Sequence, residues 1–119
     1  MGDISKHFNR SEFACRCGCG YDTVDAELLT TLEDIRIYFD KPITITSGCR
    51  CAGHNQDVGG TFLSQHCYGK AVDFKVKNVH EDDIVEYLHK KYPCKYGIGR
   101  YNGRTHIDIR HNCARWDNR

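Results

Sequence analysis

Apolar positions change period several times along this chain, and each change marks an element. From Asp25 to Phe39, Leu28, Leu29, Leu32, Ile35 and Phe39 recur at helical spacing. Asp22, Thr23 and Asp25 are all available N-caps, and Lys41-Pro42 stops the helix. Ile43-Thr44-Ile45-Thr46 is β-branched throughout and reads as a strand. A loop punctuated by Gly48, Gly53, Gly59 and Gly60 follows, from Ser47 to about Gln65. Loops that long in a small domain usually carry function. Ala71 to Val76 then alternates: Val72, Phe74 and Val76 share one face, and Ala71, Asp73 and Lys75 the other. A second helix is predicted from Glu81 to Tyr92, with Ile84, Val85 and Leu88 inward. Asn102-Gly103 is a type I′ turn signal between strands Tyr96–Tyr101 and Arg104–Arg110. In the last strand Thr105, Ile107 and Ile109 face the core, while His106, Asp108 and Arg110 leave the opposite face together. Residues 1–21 show no period. The sum predicts an α+β fold, a small antiparallel sheet with helices packed on one face and the polar chemistry on the other.

A length of 119 residues fits one domain, 1–119, with a modest core. The net charge of +1 gives no reason to expect a nucleic acid or an anionic membrane as partner. No apolar run approaches the roughly 18 residues of a membrane span, so membrane insertion is not expected. A monomer is expected. The first residues lack an apolar signal-peptide core, and Lys6 stands where a myristoylation signal needs Ser or Thr. The expectation is synthesis in a cytoplasm, with any export independent of a signal.

Eight cysteines complicate that picture. Three lie in Cys15-Arg16-Cys17-Gly18-Cys19-Gly20, two in Cys49-Arg50-Cys51, and the others are Cys67, Cys94 and Cys113. Disulfides suit an enzyme working outside a cell. A structural zinc on four thiolates suits a reducing compartment, although C-x-C is tighter than the usual C-x₂-C pair. Free thiols are the third reading, and the sequence leaves all three open. Extending the register of the Asn102-Gly103 hairpin brings Cys94 near Cys113, which makes a bridge between them geometrically plausible.

Chemistry concentrates in Ser64-Gln65-His66-Cys67-Tyr68-Gly69-Lys70-Ala71-Val72-Asp73 and in His106-Ile107-Asp108. Taken singly, His66 reads as a loop histidine, Asp73 as an edge carboxylate and His106 as a polar residue on a solvated sheet face. Together, His, Asp and His are a ligand set that holds a catalytic zinc and leaves one position open. A carboxylate inside an apolar strand also needs something positive to meet it.

These motifs resemble the zinc D-Ala-D-Ala carboxypeptidase family of peptidoglycan peptidases, in the wider group that includes lysostaphin-type enzymes and the hedgehog signalling domain. The resemblance begins at Phe8-Asn9-Arg10-Ser11-Glu12-Phe13 and continues through Pro42 to Arg50, His54-Asn55 and Val58-Gly59-Gly60. It includes the Ser64–Asp73 motif and closes with Tyr96-Gly97-Ile98-Gly99 and His106 to Arg110. It implies a zinc peptidase with His66, Asp73 and His106 as metal ligands and Arg50 holding negative charge on the substrate. Many relatives carry an acidic residue or histidine two or three positions before the last ligand as general base. Here Arg104 and Gly103 stand there, and neither can serve. Asp108 is the expected substitute, with orientation of His106 or Arg110 as its competing role, and His54 and His111 as weaker candidates for the base. The expected partner is a peptidoglycan peptide, and the expected setting is cell-wall degradation of the phage lysis type. The alternative is a zinc-bearing binding module without turnover on the same scaffold.

Overall fold

The first helix starts where Asp25 can cap it. The Asp25 carboxylate accepts the Glu27 backbone N–H at 2.8 Å, and helix α1 runs Ala26–Phe39 before ending at Asp40, in the left-handed region at φ 52°. Leu28, Leu32 and Ile35 are fully buried, and Leu29 and Phe39 pack at the margin of the same cluster. Helix α2, Glu81–Lys91, is entered through His80, whose ring nitrogen accepts the Asp82 N–H at 3.1 Å. Acidic residues fill its first turn and basic ones its last, as the helix dipole favours. The computed structural model describes residues 2–20, 22–49 and 69–118.

Five strands form one sheet: β1 Ile43–Ser47, β2 Ala71–Val76, β3 Gly97–Tyr101, β4 Arg104–Asp108 and β5 Ala114–Asp117, in the order β1-β2-β4-β3-β5. Val72, Phe74, Val76, Ile98 and Ile107 join the inward residues of both helices in one hydrophobic cluster. The α+β architecture read from the alternation is therefore present. Phe8 and Phe13, from the segment without a period, complete the core around a single 3₁₀ turn, Arg10–Phe13. Glu12 holds that turn by reaching back to the Asn9 N–H at 2.6 Å.

One strand was not expected. The sheet is antiparallel except for β5, which runs parallel to β3. Four residues are too few for alternation to be recognised. The chain leaves β4 at Asp108 rather than Arg110, because the Arg110 side chain and backbone N–H both turn back onto the Asp108 carboxylate. It then rejoins the sheet beyond β3, where the Ala114 N–H bonds the Tyr96 carbonyl at 3.0 Å. This route corrects the cysteine expectation. Cys94 and Cys113 are exposed and unbridged, and the Cys113 thiol faces the Pro93 carbonyl instead.

Thr105 lies on the core face of β4 with no exposure, and its hydroxyl has no hydrogen-bond partner among the described residues. An unsatisfied buried hydroxyl is costly. Thr105→Val is expected to raise stability by about 1 kcal/mol, measured by urea unfolding.

Candidate metal centre

The register of the sheet lines up a row of side chains across four strands. Asp73 pairs with His106, His106 with Gly99, and Gly99 with Trp116. Paired residues leave a sheet on the same face, so Asp73, His106 and Trp116 stand side by side on the face opposite the core. Glycine in the third place of that row has a reason. A Cβ on Gly99 would come within 2.4 Å of the Trp116 indole. Without it the indole lies against the imidazole, with ring centroids 5.1 Å apart. The next row repeats the device. Gly97 pairs with Asp108, and a Cβ on Gly97 would meet both Asp108 carboxylate oxygens at 2.5 Å.

The alternation predicted a polar face, and here that face is buried. Asp73 is 6 % exposed, His106 8 % and Asp108 0 %. The His106 Nδ1 lies 2.9 Å from Asp73 Oδ1, and its Nε2 lies 2.8 Å from Asp108 Oδ2. Asp108 also accepts the Gly97 N–H at 3.1 Å and two bonds from the Arg110 guanidinium, Nε to Oδ1 and Nη2 to Oδ2, each 2.7 Å. Arg110 in turn sits 5.3 Å from the centre of the Trp116 ring, whose Nε1–H donates to the Tyr101 hydroxyl. Arg104 stacks on Tyr101 and places its Nε 3.8 Å from the other Asp73 oxygen.

The electrostatics follow from these contacts. Burial alone would lower the His106 pKa, but hydrogen bonds to Asp108 and Asp73 overcome it and raise the pKa above the ordinary 6.5. Burial alone would raise Asp108, but the bonds from His106 and Arg110 overcome it and hold the carboxyl well below its usual range. Both carboxylate contacts thus favour the protonated form of His106.

That arrangement fits a divalent cation. Asp73 Oδ1 and His106 Nδ1 converge and are bridged by a proton, which a cation can replace. The far nitrogen of the same ring is fixed by a carboxylate, the usual support of a metal-ligating histidine. Among the residues expected at the site, the structure brings together Asp73, His106 and Asp108. His66, Arg50 and His54 lie outside the described residues, as do Ser64 and Gln65. His111 is exposed, in the bend between β4 and β5.

Both Asp108 oxygens are engaged by donors, from His106, Arg110 and the Gly97 N–H, and these contacts hold its carboxyl below the usual range. Trp116 was not singled out from the sequence, and Gly97 and Gly99 entered it only as part of the Tyr96–Gly99 motif. The alternation of glycines in Gly97-Ile98-Gly99 was the available signal of packing, since strand glycines mark close approach by a neighbour.

Gly99→Ala is expected to push the indole off the imidazole. Trp116 is the only tryptophan in the chain, so its emission spectrum should shift in the variant. Native-like emission would show that the indole does not need the space.

A family model described as Peptidase M15 matches residues 6–108. No curated protein matches the chain. The matched stretch covers most of the sequence and carries Asp73, His106 and Asp108 with the strands that position them, and on that ground the chain belongs to the peptidase M15 family.

Proposed function

We propose that this peptidase is a zinc enzyme that hydrolyses peptide bonds in peptidoglycan stem peptides or their crosslinks, with His66, Asp73 and His106 holding the metal. The observation that carries the reading is the buried convergence of Asp73 Oδ1 and His106 Nδ1, with the far ring nitrogen on Asp108. The carboxypeptidase resemblance of the Ser64–Asp73 motif supports the same ligand set and the wall substrate. The finer assignment, a single catalytic domain serving phage lysis, rests on that resemblance alone. Among the described residues no helix is long and apolar enough to cross a membrane.

Zinc in that position supplies Lewis acidity toward the scissile carbonyl and the attacking water. The protein residues divide the remaining work. Asp108 holds the Nε2–H tautomer of His106 and so keeps Nδ1 available as a donor atom. Arg110 and the Gly97 N–H neutralise and aim Asp108. Trp116 packs against the imidazole, with ring centroids 5.1 Å apart, and helps hold the ring in place. Arg50 is assigned to the developing negative charge of the substrate. With Asp108 in a positioning role, His54 and His111 remain the candidates for proton transfer.

Zinc binding must release the proton that His106 shares with Asp73. Because the His106 pKa is raised, the proton's stabilisation of the metal-free fold is complete below the ordinary 6.5 and fades as pH rises through the raised value. Zinc affinity at this site is therefore expected to fall about tenfold per pH unit below that value. Competition titration with a chelator of known affinity checks the slope. A flat profile through this range would remove His106 from the ligand set.

The function itself is tested by incubating purified sacculi with the protein and identifying new termini by mass spectrometry. New amino and carboxyl termini within stem peptides or crosslinks, lost with chelator and restored by zinc, are the expected result. Intact sacculi in the presence of zinc-loaded, folded protein would overturn the substrate assignment.

A further inference from the structure

Three thiols outside the site just described converge on one point. The sulfur atoms of Cys15, Cys17 and Cys19 all lie within 4.8 Å of one another. Cys15 and Cys17 are 3.4 Å apart, far beyond the roughly 2.05 Å of a disulfide. In a tetrahedral site with zinc–sulfur bonds near 2.3 Å, neighbouring sulfurs stand about 3.8 Å apart. Three sulfurs gathered about one point cannot all pair with each other, but they are three corners of such a tetrahedron.

Cys49 lies beside this group without belonging to it. The Cys49 N–H bonds the Phe13 carbonyl at 2.9 Å, so the end of the β1 segment lies against the chain that enters the cluster. Gly48 permits that approach, since a Cβ there would meet the Phe13 backbone at 2.5 Å. Cys49 is buried, and its sulfur receives backbone N–H groups from Cys15 and Thr23. The turn between the thiols is also suited to wrapping an ion. The Gly18 N–H bonds the Cys15 carbonyl at 3.2 Å, and Gly18 and Gly20 both adopt positive φ, 84° and 91°. Arg16 points away, its guanidinium bonding the Ile45 carbonyl at 2.7 Å.

We propose that Cys15, Cys17 and Cys19 form a second metal site that takes a thiophilic divalent cation of the zinc class. Its role is to fix the irregular N-terminal segment, which the Cys49 N–H ties to the end of β1. Its sulfur ligands set it apart from the nitrogen and oxygen ligands at Asp73 and His106.

The test uses the full chain and two metals. Native protein purified without chelator is expected to hold about two zinc ions, and an Asp73→Ala/His106→Ala variant about one. Adding Cys17→Ser and Cys19→Ser to that variant should remove the remainder. Cobalt loading of the native chain gives an independent readout that needs no folded variant. Thiolate ligands produce a sulfur-to-cobalt charge-transfer band, whereas nitrogen and oxygen ligands at the other site do not. The band should persist when Asp73 and His106 are replaced, which separates this proposal from the assignment of the catalytic metal. Absence of the band in cobalt-loaded native protein would overturn the site. So would peptide mapping that finds Cys15, Cys17 or Cys19 in disulfides in native protein purified under exclusion of air.

Discussion

His106→Ala is expected to abolish peptide hydrolysis and to weaken zinc binding at its site by more than about 100-fold, beyond the range of a merely supporting residue. The ring touches both buried carboxylates, 2.9 Å from Asp73 and 2.8 Å from Asp108. Removing it leaves the Asp73 and Asp108 carboxylates facing a cavity without their shared cation. Breaking a buried charged pair in this way costs about 3–5 kcal/mol, so the variant should also be less stable. Asp73→Asn separates the effects. It keeps the shape and one acceptor but halves the anionic partners of the ring, so zinc should be lost with a smaller effect on folding. Zinc affinity by competition titration and unfolding by denaturant, measured on both variants, check this. Full zinc affinity in either variant would remove that residue from the ligand set.

Asp108→Asn is expected to act through His106 rather than through proton transfer. An amide at this position must turn an NH₂ group toward Arg110 or toward the imidazole N–H, where the carboxylate accepts on both oxygens. The ring loses its anchor, and zinc affinity should fall about 10–100-fold. Turnover at saturating zinc should then recover to within about tenfold of native. A general base behaves differently: its loss costs roughly 10²–10⁴ in rate with the metal fully bound, and changes the acidic limb of the rate–pH profile. Activity at saturating zinc, with occupancy measured in the same samples, distinguishes the two. A persistent loss above 100-fold at full occupancy would return the base role to Asp108.

The sequence carried the elements that have a period. Leu28, Leu32 and Ile35 marked the inner face of α1, and the alternation in Ala71–Val76 and Arg104–Asp108 separated the packing face from the chemical face. The Asn102-Gly103 turn also fixed the pairing of Gly99 with His106. What the sequence could not carry was burial of the polar face. Trp116 contributes to it from β5, a strand too short to show a period, and reaches His106 only because Gly99 lies between them. Strand geometry placed Asp108 beside His106 and offered base or orienter as its role, but only the fold supplies the Gly97 N–H and the returning Arg110 that occupy its oxygens. Phe8 and Phe13 entered the core from a segment whose apolar residues follow no repeat, so composition alone could not assign them.

The central claim is that a zinc ion joins Asp73 to His106. Anomalous diffraction at the zinc edge, from crystals of the native chain grown with zinc, tests it most directly. The account predicts a peak within ligand distance, about 2.0–2.2 Å, of both Asp73 Oδ1 and His106 Nδ1, with the His106 Nε2–H still on Asp108. Hydrolytically active crystals without density at that position, and with Asp73 and His106 still bonded to each other as they are without metal, would contradict it.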